Sequence, residues 1–146
     1  MGFLNKVKKN EVKFGLENYV FLIRGTAKAG KSSFFAQIVE EMYGDSSKGL
    51  LIPFEKGYSA INGVNIFPYT ITPEVVIDEE TYTGWEVFTG LVDEIINTPE
   101  EERIKIVAID TVDEFINVAI EETCRTSRIK TKKPCDSIDS AYGGLI

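Results

Sequence analysis

Three side chains in this sequence have types and spacing suited to phosphate chemistry: Lys31, Ser32 and Asp110. The run Gly25-Thr26-Ala27-Lys28-Ala29-Gly30-Lys31-Ser32 fits the pattern G-x-x-x-x-G-K-[ST] without a mismatch. Each part of that pattern has a physical reason. The glycines let the backbone turn tightly and bring its N–H groups against an anion. A helix starting near Lys31 adds unpaired N–H groups and the positive end of its dipole. The anion-binding set is then Gly25, Thr26, Ala27, Lys28, Ala29, Gly30, Lys31, Ser32 and Ser33. Lys31 is placed to reach the β- and γ-phosphates of a nucleotide, and the Ser32 hydroxyl to ligate Mg²⁺. Asp110 ends an apolar run much further along the chain, where a carboxylate can hold the same Mg²⁺ through water. Asp113 and Glu114, close by, read as first-turn helix carboxylates.

These residues need elements to position them. "NYVFLIRG" (18–25) is apolar and rich in β-formers, and predicts a buried strand leading into the loop. Lys31 to Tyr43 predicts a helix, with Phe34, Phe35, Ile38, Val39 and Met42 at helical spacing and Gly44 as the stop. "GLLIPFEKG" (49–57) reads as a second strand, with Pro53 marking an edge or bend. Within 58–82, "NIFPYTI" and "EVVI" read as short strands or an extended excursion. Thr83 and Glu86 have capping-box spacing, and Trp85, Phe88, Leu91, Val92, Ile95 and Ile96 form one stripe of the helix that follows. "IKIVAID" (104–110) is the clearest strand; Thr111 and Glu114 then cap a helix with Val112, Phe115, Ile116, Ala119 and Ile120 inward. Apolar strands alternating with helices predict an α/β fold, a parallel sheet with helices on both faces. For Lys31, Ser32 and Asp110 to meet, the strand at 20–24 is expected beside the strand at 105–109.

Composition excludes other chemistries. The 146 residues include no histidine, which removes histidine-based triads and most transition-metal sites. Cys124 and Cys135 read as free thiols of a reducing compartment. Net charge is −7, unlike a broad nucleic-acid-coating surface. No apolar run approaches the ~20 residues of a membrane helix. The start has no apolar stretch after its positive charges, and Lys6 stands where a myristoylation signal wants Ser or Thr. A cytoplasmic location is expected.

The whole chain resembles a RecA-like P-loop ATPase, and most of all the phage-encoded AAA-type ATP-binding proteins of the recombinase and single-strand annealing group. The stretches that carry the likeness are "LIRGTAKAGKSSFF", "GLLIPFEKGYSAI", "WEVFTGLVDEI", "IKIVAIDTVDEF" and "DSAYGG". In that family the first holds the Walker A motif and the fourth the Walker B motif. The resemblance implies ATP and Mg²⁺ as ligands. It also implies that Glu55, at the end of the strand after the P-loop helix, polarises the attacking water; strand ends at one edge of a parallel sheet do converge on a ligand crevice. The family has an aspartate where Pro53 stands, and often a small residue where Lys28 stands. RecA-like cores continue with further strands past the Asp110 strand. The expectation is therefore an N-terminal basic extension over 1–17 and a domain over 18–146 that is incomplete at its C-terminus, either a truncated core or a minimal domain that completes its sheet with another chain.

The function implied is a Mg²⁺-dependent ATPase acting on single-stranded DNA in phage recombination or replication, in the cytoplasm of an infected bacterium. ATP would sit between subunits of a homo-oligomer. Arg125, Arg128, Lys130, Lys132 and Lys133 form a basic cluster beyond Asp110, able to neutralise several phosphates or simply to complement a helix end. No aromatics are interleaved there to stack bases. Two other readings stay open: a small-molecule or nucleoside kinase, whose lid the basic run would imitate, and a nucleotide-binding interaction module without turnover. The absence of an N-K-x-D base-reading motif favours ATP over GTP.

Overall fold

The computed structural model describes Gly15 and residues 19–26, 28–56 and 62–131, with 128–131 described by backbone alone. Three helices, α1 (Lys31–Tyr43), α2 (Gly84–Asn97) and α3 (Val112–Thr131), surround a small sheet. That sheet holds β1 (Gly49–Pro53), β2 (Asn65–Ile66) and β5 (Ile106–Asp110) in the order β2-β1-β5. Both pairings are parallel, and the register sets Gly49 opposite Ile106 and Pro53 opposite Asp110. An antiparallel hairpin of β3 (Glu74–Ile77) and β4 (Glu80–Thr83) precedes α2. The fold is thus mixed α/β with a parallel sheet between helices.

The strand alternation decides which helix covers which face. Leu51, Ile106 and Ala108 pack with Phe35 and Val39 of α1. Leu50, Ile52 and Ile109 pack on the other face with Trp85, Phe88, Phe115 and Val118 of α2 and α3. The rings of Phe54, Phe88 and Phe115 meet edge to face, with centroids 5.3 Å apart for Phe54–Phe115 and 4.9 Å for Phe88–Phe115. Such pairs contribute about 0.5–1.5 kcal/mol each beyond the area they bury. At Gly49, a Cβ would lie 2.6 Å from a Val39 methyl, so a glycine is what lets α1 approach the sheet.

The helices begin and end where the sequence signals them. Gly44 closes α1 in the left-handed region (φ 60) and donates to the Glu40 carbonyl at 2.8 Å. The capping box of α2 is complete: the Glu86 N–H donates to Thr83 Oγ1 at 3.1 Å, and the Thr83 N–H to Glu86 Oε2 at 2.9 Å.

Four expectations need correction. The stretch 18–25 is not a strand over its described residues: 19–26 pair with no strand, and Tyr19, Val20, Phe21, Leu22 and Ile23 are exposed, Val20 fully so. The neighbour of β5 is β1, not 20–24. An apolar run records that a segment needs burial, but not which edge receives it. Second, β1 stops at Pro53 rather than reaching 57: away from β5, Pro53 offers only its carbonyl, which accepts from the Ile71 N–H, and residues 54–56 bend out of the sheet. Third, residues 80–83 form a strand, β4, whose sequence carries no apolar strand signal. It is joined to β3 by Asp78 and Glu79, both at positive φ (50 and 70), where Asn-Gly would have flagged the turn. Last, Val112 and Ile116 are exposed, as is Ile96; Phe115 does turn inward as expected, and Val118 and Cys124 of α3 are buried beside it in place of Val112 and Ile116. Cys124 is buried and in no disulfide among the described residues, while Cys135 lies outside them. No helix among the described residues is long and apolar enough to cross a membrane.

Candidate functional site

The loop before α1 and the end of β5 meet. Ser32 lies in the first turn of α1, and its hydroxyl donates to Asp110 Oδ2 at 3.0 Å in a half-buried contact. Two elements make that contact possible. The α1 helix is seated by Phe35 and Val39 on the sheet face that Ala108 also lines. β5 is held along its length by β1, so Asp110 sits at the carboxyl edge of the sheet, beside Pro53.

Lys31 turns back along the loop. Its ammonium donates to the carbonyls of Gly25 (3.1 Å) and Thr26 (3.0 Å). The loop is tightened by the Ala29 N–H donating to the Thr26 carbonyl at 3.2 Å. Gly30 is the residue before α1, at φ 85, a conformation that glycine adopts without strain. With no side chain, Gly30 leaves the first-turn N–H groups of α1 uncapped by its own residue. An anion at that turn would meet those N–H groups and the helix dipole together. Lys28, Ala29 and Ser33 are exposed, and Ala27 lies outside the described residues.

Glu55 is exposed in the bend after β1. Because β1 and β5 are parallel and Pro53 is opposite Asp110, Glu55 leaves the sheet at the same edge as Asp110. The Phe54 N–H donates to the Asp110 carbonyl at 2.7 Å, and Phe54 itself is buried in the aromatic cluster. That anchor was not legible in the sequence; the only signal was an aromatic directly before a polar Glu-Lys pair.

For a divalent cation the crevice offers the Ser32 hydroxyl and the Asp110 carboxylate, both hard oxygen donors. Among the described residues no group of three or more His, Cys, Asp or Glu gathers as a metal cage. A two-oxygen protein contribution fits Mg²⁺, which keeps waters and takes phosphate oxygens for the rest of its octahedron.

The basic cluster is placed differently from the loop. Arg125 is bound bidentately by Glu122 of the same helix, at 2.9 and 2.7 Å. The Glu122 carboxylate raises the Arg125 pKa above its ordinary value, and Glu86 adds to the effect. Arg128 and Lys130 lie on the last turns of α3, while Lys132 and Lys133 lie outside the described residues.

The fold and this crevice define a class, and the family comparison agrees with it. The chain belongs to the AAA domain family, whose model matches residues 17–145. It is therefore an AAA-type domain of the P-loop kind, a class of nucleotide-binding ATPases. No curated protein and no solved structure matches the chain.

Proposed function

We propose that this protein binds Mg²⁺-ATP at the 25–33 loop and hydrolyses it. The observation that carries the reading is the Ser32–Asp110 contact, which joins two oxygen donors from distant parts of the chain at a helix N-terminus. In this reading the loop N–H groups hold the phosphate chain. Lys31 exchanges its bonds to Gly25 and Thr26 for the β- and γ-phosphate oxygens. Ser32 and Asp110 would hold Mg²⁺, which would neutralise charge on the phosphates. Glu55 accepts a proton from water as the water oxygen attacks the γ-phosphorus. The bond between that phosphorus and the β–γ bridging oxygen breaks, leaving ADP and inorganic phosphate.

The finer reading is an ATPase of phage recombination or replication that responds to single-stranded DNA and works as a homo-oligomer. It rests on the resemblance of the stretches around the loop, Glu55 and Asp110. The exposed apolar residues Tyr19 to Ile23 favour self-association, since a second copy would bury them. Arg125 is poorly placed to contact DNA, because Glu122 already engages its guanidinium.

The test is release of inorganic phosphate from Mg²⁺-ATP, with and without single-stranded DNA. Turnover that DNA raises supports the full reading. Transfer of phosphate to a nucleoside or other metabolite would replace it with the kinase reading. Binding with no turnover in any condition would leave an interaction module.

A further inference from the structure

Lys28 is an unusual residue for its position. In the turn that the Ala29 N–H closes onto the Thr26 carbonyl, Lys28 stands third and has φ 63. A positive φ at that place suits glycine and is disfavoured for a long side chain. The loop already uses glycine at Gly25 and Gly30, so the sequence here keeps a lysine where glycine is the easier residue. Lys28 is exposed, and its ammonium has no hydrogen bond or ion pair among the described residues. Lys31, by contrast, is folded back onto the Gly25 and Thr26 carbonyls. The loop thus presents two cations in different states, Lys31 engaged within it and Lys28 exposed to solvent.

We propose that Lys28 is a specificity-determining residue that reads the terminal phosphate, so that the loop prefers a nucleoside triphosphate to a diphosphate. This rests on the ATP-binding reading given above. The physical argument is charge. A cation on the loop adds attraction at the γ position, which only a triphosphate fills, and a triphosphate carries one more negative charge than the corresponding diphosphate. The attraction falls with distance and with salt, so it acts on the ratio of the two affinities rather than on both alike.

The experiment is titration calorimetry of the full chain with ATP and with ADP, both with Mg²⁺, at low and moderate salt. The variants are Lys28→Met, Lys28→Gly and Lys28→Arg. In Lys28→Met and Lys28→Gly the ATP-to-ADP affinity ratio should fall about fivefold or more at low salt, and by less at moderate salt. Lys28→Arg should keep the ratio. Lys28→Gly should melt no lower than the natural protein, because glycine takes this backbone conformation freely. An unchanged ratio in Lys28→Met and Lys28→Gly would overturn the proposal. So would an equal loss of both nucleotides with a lowered melting temperature, which would assign Lys28 to loop folding. Absence of binding of either nucleotide to the natural protein is a different failure; it would remove the ATP-binding reading, and this inference with it.

Discussion

Ser32 and Asp110 are 78 positions apart in the chain, yet the Ser32 hydroxyl lies 3.0 Å from an Asp110 carboxylate oxygen. One residue belongs to the first turn of α1 and the other to the last position of β5. The contact therefore depends on α1 being seated on one face of the sheet and on β5 being registered against β1. Asp110→Asn should leave the fold intact and weaken Mg²⁺-dependent nucleotide binding about tenfold or more, because a neutral amide is a poor partner for the cation. Titration with ATP, with Mg²⁺ and with EDTA, checks this. Equal affinity in both conditions for the natural protein would remove the metal role of the pair.

Lys31 and Glu55 are assigned separate tasks, so their variants should separate. Lys31→Ala should abolish most ATP affinity, because it removes the charge aimed between the β- and γ-phosphates. Glu55→Gln should bind ATP as the natural protein does and slow its hydrolysis by about a hundredfold, the scale of a lost general base. Equilibrium binding and single-turnover phosphate release measure the two effects. A parallel loss of binding in both variants would contradict the division.

Gly84 sets local propensity against packing. Alanine is the better helix former by about 1 kcal/mol. A Cβ at Gly84, however, would lie 2.1 Å from the Thr72 carbonyl oxygen and 3.0 Å from a Val118 methyl. Backbone oxygen cannot step aside as a flexible side chain can, so packing should win. Gly84→Ala is expected to destabilise by about 1–3 kcal/mol net, read as a lower urea midpoint. A stabilised variant would mean that α2 does not sit this close to the Thr72 backbone.

The α2 capping box gives a pH signature. The Thr83 backbone N–H, and then its side chain, bonds the Glu86 carboxylate and holds its pKa below the ordinary value. A depressed carboxylate adds stability above its unfolded pKa and loses it as pH falls through the folded one. Thr83→Ala should cost about 1 kcal/mol near neutral pH. The gap between variant and natural protein should narrow as the solution is acidified below the usual carboxylate range. Thermal melts at neutral and acid pH show the difference, and a gap that widens with acid would contradict the cap.

Self-association has its own signature. Tyr19 to Ile23 are exposed together, and Phe21→Asp places a charge among them. Sedimentation of the natural protein should show a concentration-dependent oligomer that the Phe21→Asp variant reduces. A natural protein that stays monomeric at high concentration would remove the oligomer from the proposed function.

What the sequence determined by itself was local. The loop pattern from Gly25 to Ser32, the stop at Gly44, the Thr83–Glu86 cap and the strand ending in Asp110 each depend on residues a few positions apart. Their physics is steric freedom, hydrogen-bond reach and helix or strand periodicity, all of which a short window contains. What only the tertiary structure decided was who pairs with whom. The apolar stretch 19–23 has the composition of a buried strand, yet β5 pairs with β1 and leaves that stretch exposed. The Asp78-Glu79 turn took positive φ without a glycine, so the β3–β4 hairpin had no sequence flag. The inward face of α3 keeps Phe115 but takes Val118 and Cys124 rather than Val112 and Ile116, because the aromatic cluster around Phe54 fixes where that helix lies. Burial and strand register depend on neighbours far away in the chain, and an apolar residue carries no record of which neighbour will cover it.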